Sequence, residues 1–318
     1  MGPLSAKIEI PLAAGQRADA ATASVCRALA GVIEGNVSGA IADADLEYLH
    51  QLRIAVRRTR TVARQLRGVF DPLELPGFRA ELKWLQQATG PARDLDVYVD
   101  ELSSLARLLP KGLRDDLRPL RPALERRRLE ARAAMAAALR SRRTGEFLSD
   151  WERLLESLVS APLEDREDAM LTIAELAGRR VRHAYERVVR LGEGLDAASA
   201  AETYHELRKR AKELRYLLEL FGGTLPTEVV DGLLDSLKGV QDLLGSHQDR
   251  EVQIEMLHSL ADEVGRLPGG GAACLAMGTL CERLAADKSD LRSEFAKRFE
   301  ELATSSQRRL VAESLPGG

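Results

Sequence analysis

Apolar residues recur at three- and four-residue spacing along almost the whole chain, and strict alternation of apolar and polar positions is hard to find. That period is the signature of amphipathic helices. It predicts helices over 17–35, 44–70, 76–89, 92–108, 112–142, 146–159, 165–191, 197–221, 226–244, 247–265, 272–288 and 289–313. Between them stand residues that end helices: Asp71-Pro72, Gly90-Pro91, Pro110, Ala161-Pro162, Gly222-Gly223, Pro226 and Pro268-Gly269-Gly270-Gly271. The connections are short, which favours antiparallel bundles. Only the glycine run at 268–271 is expected to be a flexible loop.

Composition narrows the class without changing it. Of 318 residues, 45% are apolar and 30% charged, enough for one large or two medium domains with a sizeable core. Aromatics are only 4%, while Leu, Ala, Arg and Glu dominate, which argues against an all-β fold. No run of about 18 apolar residues is present, so no membrane span is expected. The start, Met1-Gly2-Pro3-Leu4-Ser5-Ala6, lacks the charged and apolar regions of a signal peptide. Three cysteines, with Cys26 alone and Cys274 and Cys281 well apart, make no disulfide framework, and a reducing cytoplasm is expected. The net charge of -3 excludes a generally basic protein, so any anion site has to be local.

Such local charge emerges when the chain is compared with itself. At a shift of 155 residues, His50, Leu52, Arg53, Arg57 and Arg60 fall on His205, Leu207, Arg208, Lys212 and Arg215. Without a gap, Leu82, Lys83, Gln86, Gly90, Asp94 and Val97 then fall on Leu237, Lys238, Gln241, Gly245, Asp249 and Val252. Across positions 49 to 102, 13 of 54 residues are identical at this shift. Two motifs keeping one register across an intervening loop predict two related helical halves meeting near Pro162. A duplicated chain tends to pack with approximate two-fold symmetry, as a homodimer does, so matching faces can line one cleft.

On a helix, His50, Arg53, Arg57, Arg60 and Arg64 fall within an arc of about 80°, with Leu52, Val56, Ala63 and Phe70 beside it. No acidic residue lies between positions 48 and 70. A row of uncompensated cations weakens its helix and asks for acids from elsewhere or for an anionic ligand. A solvated face is the simpler explanation for one such helix. Recurrence of the spacing at His205, Arg208, Lys212 and Arg215 favours a shared role, because solvated charges have no reason to hold position. Arg58 and Arg64, off the shared pattern, correspond to Glu213 and Glu219 and read as surface drift.

In the second motif Lys83, Gln86 and Gly90 share a face, as do Lys238, Gln241 and Gly245. Each face is expected to end at a glycine break followed by a new helix, whose N-terminus would suit an anion. Asp94 and Asp249 then fall in a first turn, where acids stabilise the helix dipole or orient neighbouring Arg and His side chains. Arg93 and His247 lie in the same two breaks, within reach of a ligand. Arg127, within the stripe Leu120, Leu124, Ala131 and Ala138, and Arg180, within Ile173, Ala177, Ala184 and Leu191, are weaker candidates. A core-facing Arg needs an anionic partner or a path to solvent.

Metal binding is disfavoured, because each of the paired histidines is surrounded by Arg and Lys. No Ser-His-Asp order, P-loop or carboxylate cluster for Mg²⁺ stands in the stripes, so the chemistry on offer is anion binding rather than catalysis. No cofactor is implied.

His50-Gln51-Leu52-Arg53-Ile54-Ala55-Val56-Arg57-Arg58, followed by Gly90-Pro91-Ala92-Arg93-Asp94-Leu95-Asp96-Val97, resembles the CHAD domain, the conserved histidine α-helical domain. His205-Glu206-Leu207-Arg208-Lys209-Arg210-Ala211-Lys212 with Leu217-Leu218-Glu219-Leu220-Phe221, and Leu244-Gly245-Ser246-His247-Gln248-Asp249, are similar to its second-half elements. The resemblance runs from about residue 15 to 310. It implies an all-α fold of two four-helix bundles related by a pseudo-two-fold axis, with a basic cleft between them. It divides the chain into an N-terminal extension at 1–14, a first half at 15–162 and a second half at 163–315. It also implies non-catalytic binding of inorganic polyphosphate. Carried over, His50, Arg53, Arg57, Arg60, His205, Arg208, Lys212 and Arg215, with Lys83 and Lys238, would line the cleft. Family members are often fused to a triphosphate-tunnel domain that opens with a Glu-x-Glu-x-Lys strand. Lys7-Ile8-Glu9-Ile10-Pro11-Leu12 departs from that pattern, so a stand-alone module is expected, in the cytoplasm or with polyphosphate granules.

A linear polyanion matches a row of cations, each contact a charge-assisted hydrogen bond worth roughly 1.5–3 kcal/mol. The rival partner is nucleic acid, disfavoured because aromatics for base stacking are absent from the stripes. A further alternative is metal chelation by the histidines. Within an Arg-rich cleft, His50 and His205 would be disfavoured in their charged form.

Overall fold

The computed structural model describes residues 2–317; Met1, the first residue of the expected extension, and Gly318 lie outside them. Among the described residues the chain is all-α, with ten helices: α1 (Ala18–Ile41), α2 (Leu46–Gln65), α3 (Leu75–Ala106), α4 (Leu120–Arg140), α5 (Arg142–Ser157), α6 (Ile173–Glu193), α7 (Ala201–Phe221), α8 (Thr227–Gly265), α9 (Gly270–Leu302) and α10 (Ser305–Ser314). Short 3₁₀ turns at Arg67–Val69 and Gly222–Thr224 follow α2 and α7. None of these helices is long and apolar enough to cross a membrane.

Several starts follow from local capping. Asp45 accepts from the Glu47 amide at the head of α2, 2.9 Å away. Thr172 accepts from the Glu175 amide at the head of α6, and Thr304 from the Gln307 amide at the head of α10. The order repeats at the register found in the sequence: α1 and α6 start at Ala18 and Ile173, α2 and α7 at Leu46 and Ala201, and the two turns at Arg67 and Gly222, each pair 155 apart. Packing repeats too. α1 packs on α2, α2 on α3 and α3 on α4, and α6, α7, α8 and α9 form the same series.

Three expected interruptions are absent, one of them at 288–289, inside α9. α3 runs unbroken through Gly90-Pro91, and α8 through Gly245. Pro91 is exposed and costs α3 one backbone donor, while Leu82, Leu85, Ala92 and Leu95 stay buried on either side of it. Burial of that long face outweighs the local preference for a break. No helix N-terminus therefore exists at either site, and Asp94 and Asp249 sit mid-helix rather than in a first turn. The stretch at 268–271 is no flexible loop either. Gly269 adopts φ +76°, the Gly270 amide donates to Leu267 O at 2.8 Å, and a side chain on Gly270 would strike the Val264 and Gly265 carbonyls. It is a tight turn between α8 and α9.

Two apolar clusters fill the interior, and each draws on residues from both sides of Pro162. The larger joins α1, α2 and the first part of α3 to α6, α7 and the first part of α8. The smaller joins the far ends of α3 and α8 to α4 and α9, through Leu102, Leu105, Leu257, Leu260 and Leu280. Residues 4–17 form an extended strap across both halves. Leu4 exchanges two hydrogen bonds with the buried Asn36, the Ala6 amide donates to Gln51 Oε1, and the Ile173 amide donates to Gln16 O.

Candidate anion-binding site

α2, the first part of α3, and α7 enclose a depression of about 580 Å³. α2 contributes Arg57, Arg60 and Arg64; α3 contributes Arg79 and Lys83; α7 contributes His205, Arg208, Lys209 and Lys212. Glu213 is the only acidic residue of the lining. Among the described residues, no carboxylate lies within ion-pair distance of Arg57, Arg60, Arg79, Lys83, Arg208 or Lys212, whereas Arg64 and Lys209 of the same lining are paired, with Glu213 and Glu206. The Arg208 Nε is buried and has no hydrogen-bond partner.

Part of the repeated motif holds helices together. Arg60 Nη1 donates to Gln86 Oε1, and at the matched positions Arg215 Nη1 donates to Gln241 Oε1. Gln241 Nε2 in turn donates to Ala211 O at 2.7 Å. Arg53 is buried and donates to Gln86 O at 2.9 Å and Thr89 Oγ1 at 3.0 Å. These bonds tie α2 to α3 and α7 to α8, which explains why Arg and Gln keep their register.

The positions read as drift prove to be paired. Arg58 binds Glu219, and Arg64 binds Glu213. Glu213 and Glu219 stand 155 residues after Arg58 and Arg64, so each ion pair is the mirror of the other. Reciprocal contacts of this kind are what a two-fold relation between α2 and α7 produces. The helices run antiparallel where they meet, and the change from Arg to Glu replaces like-charge repulsion with attraction.

Burial first, and crowding of cations second, weaken the hold of these groups on their protons. Burial, then Arg57 and Arg93, hold Arg53 down to about 10, against the opposing pull of Asp94. Burial, then Arg208 and Arg57, push Lys212 down to about 8, with Asp249 opposing. Arg60 and Arg208 are lowered chiefly by burial. His50 is lowered by burial and then by Arg93. Burial raises Asp94 despite Arg53, Arg57 and Arg93 around it. Each matched aspartate thus stands beside its own stripe.

Of the fifteen residues singled out from the sequence, seven line this depression: Arg57, Arg60, Arg64, Lys83, His205, Arg208 and Lys212. His50 and Arg53 stand along the α2 stripe, with Arg93 of α3 beside them, outside the walls of the depression. Arg215 is exposed and bound to Glu219 as well as Gln241. Lys238 faces a separate groove with Asp235, Asp242, Glu294 and Glu301, where acids outnumber cations. Arg127 is held by Glu263 and Ser259, and Arg180 by Asp168, so each has found the partner a core-facing Arg requires. His247 is buried, stacked on Tyr204 with ring centroids 4.9 Å apart, and accepts from Arg292 Nε at 3.0 Å. Burial and Arg292 hold it down to about 4, so it is a neutral core residue. Arg79 and Lys209 line the depression and were not anticipated. Their matched residues are Leu234 and Ile54, so the repeat itself hid them, although Arg79 lies one turn before Lys83 on the same face.

No group of three or more His, Cys, Asp or Glu side chains among the described residues is placed to hold a metal ion. The arrangement can hold an anion of several charges.

Comparison with known proteins places this geometry in context. Residues 24–258 match the family model of the CHAD domain. Two uncharacterized proteins of Mycobacterium tuberculosis, from strains CDC 1551 and H37Rv, are each 33% identical over 215 residues, 66% of this chain and 40% of theirs. The chain thus spans well under half the length of these relatives. The crystal structure of the CHAD domain from the plant Ricinus communis superimposes with a TM-score of 0.79 at 24% identity, over 95% of this chain and 97% of that one. PptA from Streptomyces chartreusis gives a TM-score of 0.67 at 18% identity, over 90% of this chain and all of its own. Both are likenesses of fold.

Proposed function

The chain belongs to the CHAD domain family, and we propose that it binds inorganic polyphosphate, without catalysis, in the depression between α2, α3 and α7. The observation that carries this reading is the set of cations without carboxylate partners: Arg57, Arg79, Lys83, Arg208 and Lys212 share one depression with a single acid. Left empty, such a set repels itself. A polyanion replaces that repulsion with charge-assisted hydrogen bonds, and the guanidinium forks of Arg57 and Arg208 each grip two oxygens. His50, Arg53 and Arg93 extend the row beyond the depression and would meet a chain long enough to leave it.

Titration of the protein with long-chain polyphosphate, pyrophosphate and single-stranded DNA at matched ionic strength tests the reading. Long polyphosphate is expected to bind most tightly, with affinity falling linearly in log–log terms as salt rises, because bound counterions are released. Equal affinity for pyrophosphate would reduce the site to a local anion pocket. Tighter binding of DNA would transfer the site to nucleic acid.

A further inference from the structure

Beside the matched histidines, the repeated stripe has three matched cations, at 53/208, 57/212 and 60/215, and all but one are arginine. Where α2 has Arg57, α7 has Lys212, the one primary amine of the pattern. Lys212 is half-buried in the wall of the depression and has no hydrogen bond or ion pair among the described residues. The charged groups that face it are Arg208 and Arg215 on its own helix, Arg57 on α2 and Asp249 on α8. Burial, and then three guanidiniums against one carboxylate, disfavour an ammonium there, and the guanidiniums favour an anion formed at the same atom. The other two amines of the depression differ. Lys83 is exposed, and Lys209 is paired with Glu206 at 2.7 Å.

We propose that Lys212 Nζ is a carbon dioxide site, where the free amine forms a carbamate held between Arg57 and Arg208. The nitrogen lone pair attacks the carbon of CO₂, an N–C bond forms and one C=O π bond breaks, leaving its electron pair on oxygen. The nitrogen then gives one proton to water. The product, –NH–COO⁻, is an anion where the protein otherwise holds a cation or a neutral amine. No oxidant, reductant or metal is needed. Arg57 cannot do the same, because the lone pairs of a guanidinium are delocalised and it is a poor nucleophile. Lowering of the Lys212 ammonium to about 8 leaves a useful fraction of free amine near neutral pH. This inference stands apart from polyphosphate binding, since it needs only the amine and its neighbours.

The full chain in ¹³C-bicarbonate buffer, with glycylglycine added as a reagent control, is trapped with a triethyloxonium salt, digested and read by mass spectrometry. The ethyl carbamate is expected on Lys212 at about tenfold or more above Lys83 and Lys209. At constant dissolved CO₂ it should fall by about 10³-fold or more from pH 8 to pH 6, because the free-amine fraction drops about fifty-fold and each carbamate formed also releases a proton. The K212R variant, checked for an unchanged melting curve, should lose the label, and R57A should lower it by about threefold. Labelled glycylglycine with an unlabelled Lys212 would overturn the proposal. So would even labelling of all lysines, or a label indifferent to R57A.

Discussion

α2 and α7 carry the same basic spacing, yet they do different things with it. On α2, Arg57, Arg60 and Arg64 all face the depression, and Arg53 turns inward to the backbone of α3. On α7 the depression takes His205, Arg208 and Lys212, while Arg215 leaves it for Glu219 and Gln241. The third wall comes from α3 alone; its counterpart α8 turns Lys238 toward an acidic groove. The helices are therefore complementary rather than equivalent. Matched residues that bond within their own half, Arg60–Gln86 and Arg215–Gln241, preserve the fold twice. Matched residues without partners, Arg57 and Lys212, meet in one site. Residues that changed sign, Arg58 to Glu213 and Arg64 to Glu219, join the two helices.

If that division is right, the two classes of cation will separate in a binding assay. The double variant R57A/K212A should weaken polyphosphate binding by about 10²–10⁴-fold at fixed salt, since two charge-assisted contacts are lost. R215A/K238A, at repeated positions outside the depression, should change affinity by less than about threefold. Comparable losses in the two variants would mean that the site follows the repeat and not the depression.

A smaller effect is expected from the reciprocal ion pairs, and it appears in stability. Arg58 is 7% exposed and also donates to Ala6 O in the N-terminal strap, so R58A leaves that carbonyl without its donor and Glu219 with Arg215 as its remaining partner. It should cost about 2 kcal/mol in denaturant unfolding. Arg64 is 38% exposed, and R64A should cost about 1 kcal/mol. Equal costs would show that the two pairs are energetically alike, contrary to their burial.

The smallest effect concerns the core histidine, which has no counterpart: the position matched to His247 is Ala92. Its folded-state value of about 4 lies below the ordinary 6.5, so the unfolded chain binds a proton that the folded chain refuses. Stability is then full above pH 6.5 and declines as pH falls toward 4, with a slope of at most about 1.4 kcal/mol per pH unit from this group. Unfolding midpoints of the protein and of H247Q across pH 4–7 measure it. An identical slope in the variant would remove His247 as the cause.

Much of this was legible from spacing. The helical period marked most elements, and the prolines at 72, 110, 162 and 226 mark real ends. Gly90-Pro91 and Gly245 misled because a local breaker was weighed without the long buried face on either side of it. At the site, the repeat picked out Arg57, Arg208 and Lys212 and passed over Arg79 and Lys209, whose matched positions are apolar. It gave the same rank to Lys238, which acids on α8 and α9 surround.

The sequence by itself determined the all-α class, the 155-residue register and the residue types available for binding an anion, because periodicity and duplication are properties of the chain. Tertiary structure alone decided which cations are neutralised. Arg58 finds its acid 161 residues away, and Arg127 finds its acid 136 residues away. Coulomb attraction acts through space and not along the chain, so whether a guanidinium is a strut or a ligand for a polyanion is settled only when the helices pack.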